Sequence, residues 1–263
     1  MDFKFLKPSH INTTGFDSGL VIIHGNYGAG KTHLAGDACA YTLAKGGTFT
    51  YLNITGEDGQ DSAWRPEFEP HKDWFMDLTE YGGIKEFISY YSQPANKRDL
   101  VVVDSLKALH RIVEHKQTGG AHPPQSRGWG DSDFSWIYLW MDNIMSDFRR
   151  TGKVVLFLCP SDLGRDRIQD NEKQVVDMEK KVTLPDLPGK LASGSPGWAD
   201  FMFYLEAEYD PRTKKRVRKV LSTASPKIIA RQRLRKEIKD AIVIPEDGGG
   251  WGAILAAINQ TYQ

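Results

Sequence analysis

Apolar residues along the chain gather in short, nearly unbroken runs: Leu20 to His24, Phe49 to Asn53, Leu100 to Asp104 and Val154 to Leu158. Runs of this length bounded by turn residues predict strands buried on both faces. Between them the spacing becomes helical. Leu34, Ala38, Tyr41 and Leu43 predict a helix over 31–45, stopped by Gly46-Gly47. A second helix is expected near Ile84 to Tyr91. A third, over 133–150, has aspartates near its start and Arg149-Arg150 at its end, matching the helix dipole. Strands alternating with helices predict an α/β fold, a mostly parallel sheet with helices on both faces.

Past Cys159 the pattern changes. Residues 160–198 are rich in charge, Gly, Pro and Ser, and read as one long loop. Phe201 to Tyr209 and Arg216 to Thr223 flank Asp210-Pro211-Arg212-Thr213, a hairpin signal. Lys227 to Ala230 predicts a further short strand, and Ile254 to Tyr262 a closing helix. The expected organisation is one domain over 1–263: an N-terminal segment (1–17), a core (18–200), and a C-terminal β-hairpin extension with closing elements (201–263).

Composition removes several alternatives. The 263 residues carry 34 Lys or Arg and 34 Asp or Glu, ordinary for a globular protein. No apolar run approaches the roughly 20 residues of a membrane span, and the N-terminus lacks a signal-peptide stretch, so no membrane role and a cytoplasmic location are expected. Cys39 and Cys159 stand in apolar contexts and predict buried thiols. His110 and His115 are five apart and diverge on a helix, so no zinc site is expected. The charge is uneven. Arg212 to Lys239 holds twelve basic residues against Glu237 alone, leaving +11 there and −11 over the rest. Glu57 to Glu80 holds eight acids. This asymmetry predicts a polyanion, a complementary subunit, or both.

The most specific feature is Gly25-Asn26-Tyr27-Gly28-Ala29-Gly30-Lys31-Thr32, a full match to G-x-x-x-x-G-K-[ST], placed after an apolar strand and before a helix. Its glycines let backbone N–H groups converge on a phosphate at a helix N-terminus. Lys31 reaches the β- and γ-phosphates and Thr32 coordinates Mg²⁺; His33 continues the first turn. ATP (or GTP) with Mg²⁺ is the expected cofactor. Asp104, ending its strand, is the candidate second metal-site residue. Ser105 follows where many P-loop ATPases of the AAA+ type carry a catalytic Glu. Glu57, just past the second strand, is therefore the candidate for activating water, with Asp58 and Asp61 as neighbouring alternatives.

These features resemble the RecA-like core: Gly25–Thr32, an acid after the second strand, Leu100 to Asp104 with Ser105, and a late strand followed by a long loop. The resemblance is to the short phage-type RecA-like ATPases, which include single-strand annealing proteins. Trp129-Gly130 before a long helix, Leu187 to Leu191 before Trp198 and Asp200, and Ile229 to Leu234 extend it over roughly residues 18–245. The acid after the second strand lies about two residues late, and Ser161 stands where relatives often have Gln or His. In RecA-like filaments two basic residues one apart reach the neighbour's γ-phosphate, and Arg231 and Arg233 occupy a comparable place. The resemblance further implies single-stranded DNA contact through two loops. One, 115–129, includes Lys116, Arg127 and Trp129, whose indole could stack a base or anchor the next helix; the other, 162–197, includes Arg165 and Arg167. A homo-oligomeric ring or filament and a single-strand DNA-binding protein partner follow from the same resemblance. The other functional class is a nucleotide-driven accessory protein, a helicase loader or packaging component, acting through a protein partner.

Overall fold

The computed structural model describes residues 16–54, 60–118, 131–163, 183–212, 214–224, 228, 230–232, 238, 241–246 and 248–261. The chain begins with strand β1 (Gly19–Gly25), helix α1 (Lys31–Ala44) and β2 (Phe49–Ile54). A short helix α2 (Gln60–Ala63) and a 3-10 segment (Pro66–Trp74) lead to β3 (Phe75–Leu78) and α3 (Tyr81–Tyr91). Then come β4 (Arg98–Asp104), α4 (Leu106–Thr118), α5 (Asp131–Phe148) and β5 (Gly152–Leu163). The remainder is β6 (Thr183–Pro185), α6 (Gly189–Gly194), β7 (Phe201–Asp210), β8 (Lys215–Leu221), β9 (Arg231–Gln232), β10 (Ile242–Ile244) and α7 (Gly250–Gln260).

Among the described residues the sheet runs β10-β8-β7-β1-β5-β4-β2-β3, with β6 beside β5 and β9 beside β7. The six strands from β7 to β3 are mutually parallel, while β8, β9, β10 and β6 pair antiparallel. One strand, β5, separates the strand that feeds the glycine-rich loop from the strand that ends in Asp104.

Side-chain alternation along buried strands divides the core between the two faces. Leu20, Ile22, Val101, Val103, Val155 and Phe157 pack with residues of α3, α4 and α5. Val21, Ile23, Leu100, Val102, Leu156 and Leu158 pack with α1 and α7. Both faces of the central strands are therefore dry, which is why their sequences read as continuous apolar runs. Both cysteines are buried free thiols, and burial pushes each thiol far up from its ordinary pKa. No helix among the described residues is long and apolar enough to cross a membrane.

Several expectations need correction. Residues 160–198 are not one loop: β5 continues to Leu163, and β6, α6 and a 3-10 turn at Ser195–Gly197 occupy the far end. Within the expected strand over 227–230, Ile228 bridges to Thr183, and strand pairing is present at β9. Elements β3, α2, α4 and β10 are additions to the expected set, and α4 carries helical spacing at Leu106, Leu109 and Val113. The expected C-terminal hairpin is present as β7–β8. Strand β7 pairs with β1 from Val21↔Phe201 to His24↔Tyr204, so the hairpin extends the same sheet.

Candidate functional site

The C-terminal ends of β1 and β4 bring the two sequence signals to one edge of the sheet. Residues Gly25 to Gly30 leave β1 and turn into α1, with Gly28 at φ 73° and Gly30 at φ 99°. Both angles lie in the left-handed region that glycine occupies without strain. Gly25 is needed for a different reason, space: a Cβ there would lie 2.4 Å from the Leu205 carbonyl oxygen on β7. Helix α1 has no side-chain cap and no acid in its first turn. Its leading amides and positive dipole end thus face the cleft, a ready anion site.

Lys31 folds over the loop, its Nζ donating to the Gly25 carbonyl at 2.8 Å and the Asn26 carbonyl at 3.0 Å. The Lys31 ammonium also lies 5.7 Å from the centre of the Tyr27 ring, which is 70% exposed. The Thr32 hydroxyl donates to Asp104 Oδ2 at 3.1 Å. A hydroxyl and a carboxylate oxygen thus meet beside the loop, fitting a Mg²⁺ ion that takes few protein oxygens and completes its shell with water and phosphate. Among the described residues no cluster of three His, Cys, Asp or Glu offers a zinc-like alternative. The Asp104–Ser105 peptide is cis.

Sequence reasoning missed Tyr51. From β2 its hydroxyl donates to Asp104 Oδ2 at 2.6 Å, fully out of solvent. Burial, and then the Asp104 charge, raise the phenol well above its ordinary pKa, so it remains a donor. Behind the loop, His24 Nδ1 and Ser161 Oγ are 2.9 Å apart. Ser161, on β5, is therefore engaged with the buried end of β1.

A cavity of about 420 Å³ opens over the loop, lined by Lys31, Thr32, His33, Asp104, Ser62 and Arg218 among others. Burial, offset in part by Asp37, lowers the His33 pKa, with Arg65 and Arg218 acting in the same direction as burial. The second unforeseen group is Arg218 itself, on β8, whose Nε packs where a Cβ on Gly30 would come within 2.8 Å. Two residues earlier, the Arg216 guanidinium donates to the Gly28 carbonyl. The only signal in the sequence was the basic run; which of its side chains meets the loop depends on strand pairing.

Other expected site residues are elsewhere or outside the described residues. Arg231 pairs through β9 with Met202, itself level with Ile22 on β1, upstream of the phosphate loop. Lys116 is exposed in the last turn of α4, roughly 15 Å along that helix from its start near Asp104. Glu57, Asp58, Arg127, Trp129, Arg165, Arg167 and Arg233 lie outside the described residues. Asp61 is exposed on α2.

No family profile matches the chain, and no curated protein matches it in sequence. Among solved structures it is similar to the flagellar accessory protein FlaH from Methanocaldococcus jannaschii, at 13% identity over 77% of this chain and 76% of that one, with a TM-score of 0.43. The fold is read from the strand order and the site from its own geometry: a phosphate loop, a lysine, and a hydroxyl–carboxylate pair at one sheet edge.

Proposed function

We propose that the chain is a Mg²⁺-dependent, ATP-binding P-loop ATPase of RecA-like type that works on single-stranded DNA in recombination, annealing or replication. The observation that carries the nucleotide reading is the convergence of Lys31, Thr32 and Asp104 at the N-terminus of α1. When bound, Mg²⁺ supplies charge stabilisation for phosphoryl transfer. Thr32 and Asp104 hold that ion, Lys31 neutralises the outer phosphates, and the loop amides cradle the inner ones. Glu57 is the proposed activator of the attacking water. Contacts to DNA are assigned to Lys116, Arg127 and Trp129, and to Arg165 and Arg167.

Assembly into a head-to-tail ring or filament is supported by charge. The acidic residues Asp73, Asp77 and Glu80 lie in and beside β3, one edge of the sheet, while the basic strand β8 lies near the other. On this reading Arg231 and Arg233 are the arginines supplied to a neighbour. One observation favours the alternative, a loader or packaging component with a protein partner: Trp136 and Leu139 stand exposed on α5 at 52% and 46%.

Thermal denaturation with Mg-ATP tests the nucleotide reading. At about 100 times the dissociation constant, ligand adds roughly 2.7 kcal/mol to the native state. That gain is expected in the wild type and absent in Lys31→Ala, which removes a charge and no core side chain. Turnover measured with and without single-stranded DNA tests the second half. Stimulation by DNA is the expected result, and turnover raised only by a protein partner selects the alternative.

A further inference from the structure

The strand β8 sorts its basic residues by face. Alternation along a strand sends 215, 217 and 219 to one side and 216 and 218 to the other. On the first side Lys219 pairs with Glu208 and Lys215 with Glu246, each at 2.8 Å. On the second, Arg216 and Arg218 turn to the phosphate loop. Among the described residues neither arginine has a carboxylate partner, and the Arg218 Nε is buried without a hydrogen-bond acceptor. A guanidinium carries five donors arranged to bind oxyanions, and a buried donor left unpaired costs free energy that an incoming acceptor recovers. The same strand neutralises its outward lysines with acids and leaves two arginines at a site built for an anion.

We infer that Arg218 is a phosphate ligand acting within its own chain: its guanidinium binds the phosphate chain of the nucleotide at Gly25–Thr32, while Arg216 braces the loop through the Gly28 carbonyl. This rests on reading the site as a nucleotide site. It is distinct from any arginine supplied by a neighbouring subunit, because β8 joins β7 and β7 joins β1 in the sheet that carries the loop. The pairing that delivers Arg218 is therefore intramolecular and requires no assembly.

Titration calorimetry of Mg-ATP and Mg-ADP against the full chain, with Arg218→Ala and Arg218→Gln, tests the inference. The glutamine variant keeps length and polarity should alanine fail to fold. Either variant is expected to weaken ATP about tenfold or more. A loss confined to ATP places the guanidinium on the terminal phosphate, and a loss shared with ADP places it on an inner one. Lys219→Ala, on the opposite face, is expected to bind as the wild type does. Mixing Arg218→Ala with Lys31→Ala subunits is expected to restore no turnover, because no subunit then holds both groups. Wild-type affinity for both nucleotides in the Arg218 variants, or recovered turnover in the mixture, overturns the inference and leaves the nucleotide reading standing. A wild type that binds neither nucleotide overturns both.

Discussion

Asp104 is the residue on which the site turns. The carboxylate is nearly buried, and burial alone would disfavour its charge. The Tyr51 and Thr32 hydroxyls compensate by donating to the same oxygen, and hydrogen bonds to a charged acceptor are about twice as strong as neutral ones. Tyr51→Phe removes one donor while keeping the ring that stacks on Phe75. Its cost without ligand should be about 1.5–3 kcal/mol, read from urea denaturation. With saturating Mg-ATP the deficit should shrink, because the cation supplies the compensation that the phenol supplied. An equal deficit in both conditions would mean that Tyr51 only fills space and that Asp104 is not at the metal.

At the scale of elements, the phosphate loop depends on how closely β7 approaches β1. Gly25 sits where any side chain would strike the Leu205 carbonyl, whereas a Cβ on Gly28 meets nothing within 4 Å. The two substitutions should therefore act differently. Gly25→Ala pushes β7 outward, and with it β8 and its arginines, so both stability and nucleotide affinity should fall, stability by about 1–3 kcal/mol. Gly28→Ala meets only the backbone strain of φ 73°, about 1–2 kcal/mol, with β7 left in place. Denaturation midpoints and nucleotide titrations on the pair separate packing from conformation. A second element, α4, ties the loop to β6. Lys107 contacts Asp186 and reaches the Tyr27 hydroxyl at 3.5 Å. Burial acts to lower the Lys107 pKa, and Asp186 together with the Tyr27 hydroxyl more than offsets it, so the net direction is up.

Among the described residues the sheet carries Asp73, Asp77 and Glu80 about β3 at one edge and the basic strand β8 near the other. Such a sheet favours heterologous contacts, which close into rings or run on as helices. On the proposed reading Arg231 and Arg233 would serve a neighbour's pocket, while Arg218 would serve its own. Mixing distinguishes them. Arg231→Ala/Arg233→Ala subunits should regain part of their turnover with Lys31→Ala subunits, since a mixed interface pairs an intact pocket with intact arginines. Absence of recovery, with both variants still assembling, would remove the neighbour's arginines from the reaction.

Much of the molecule was legible in one dimension because its signals are local. The phosphate loop needs consecutive residues, the strands β1, β2, β4 and β5 are dry on both faces and so read as apolar runs, and α1 and α3 carry helical spacing. Asp104 followed from its place at a strand end. The edge strands β3 and β10 were less legible, because partial exposure mixes polar residues into short segments. What the sequence determined by itself was therefore the α/β class and the presence of a phosphate loop with its lysine and hydroxyl. Only the tertiary structure decided which distant groups complete it. The hydroxyl on Asp104 comes from a strand 53 residues earlier, and the guanidinium on the Gly28 carbonyl from 188 residues later. Strand order and register set those meetings, and both arise from packing across the sheet, where a one-residue slip would turn Arg216 and Arg218 away from the loop and bring Lys215 and Lys219 toward it.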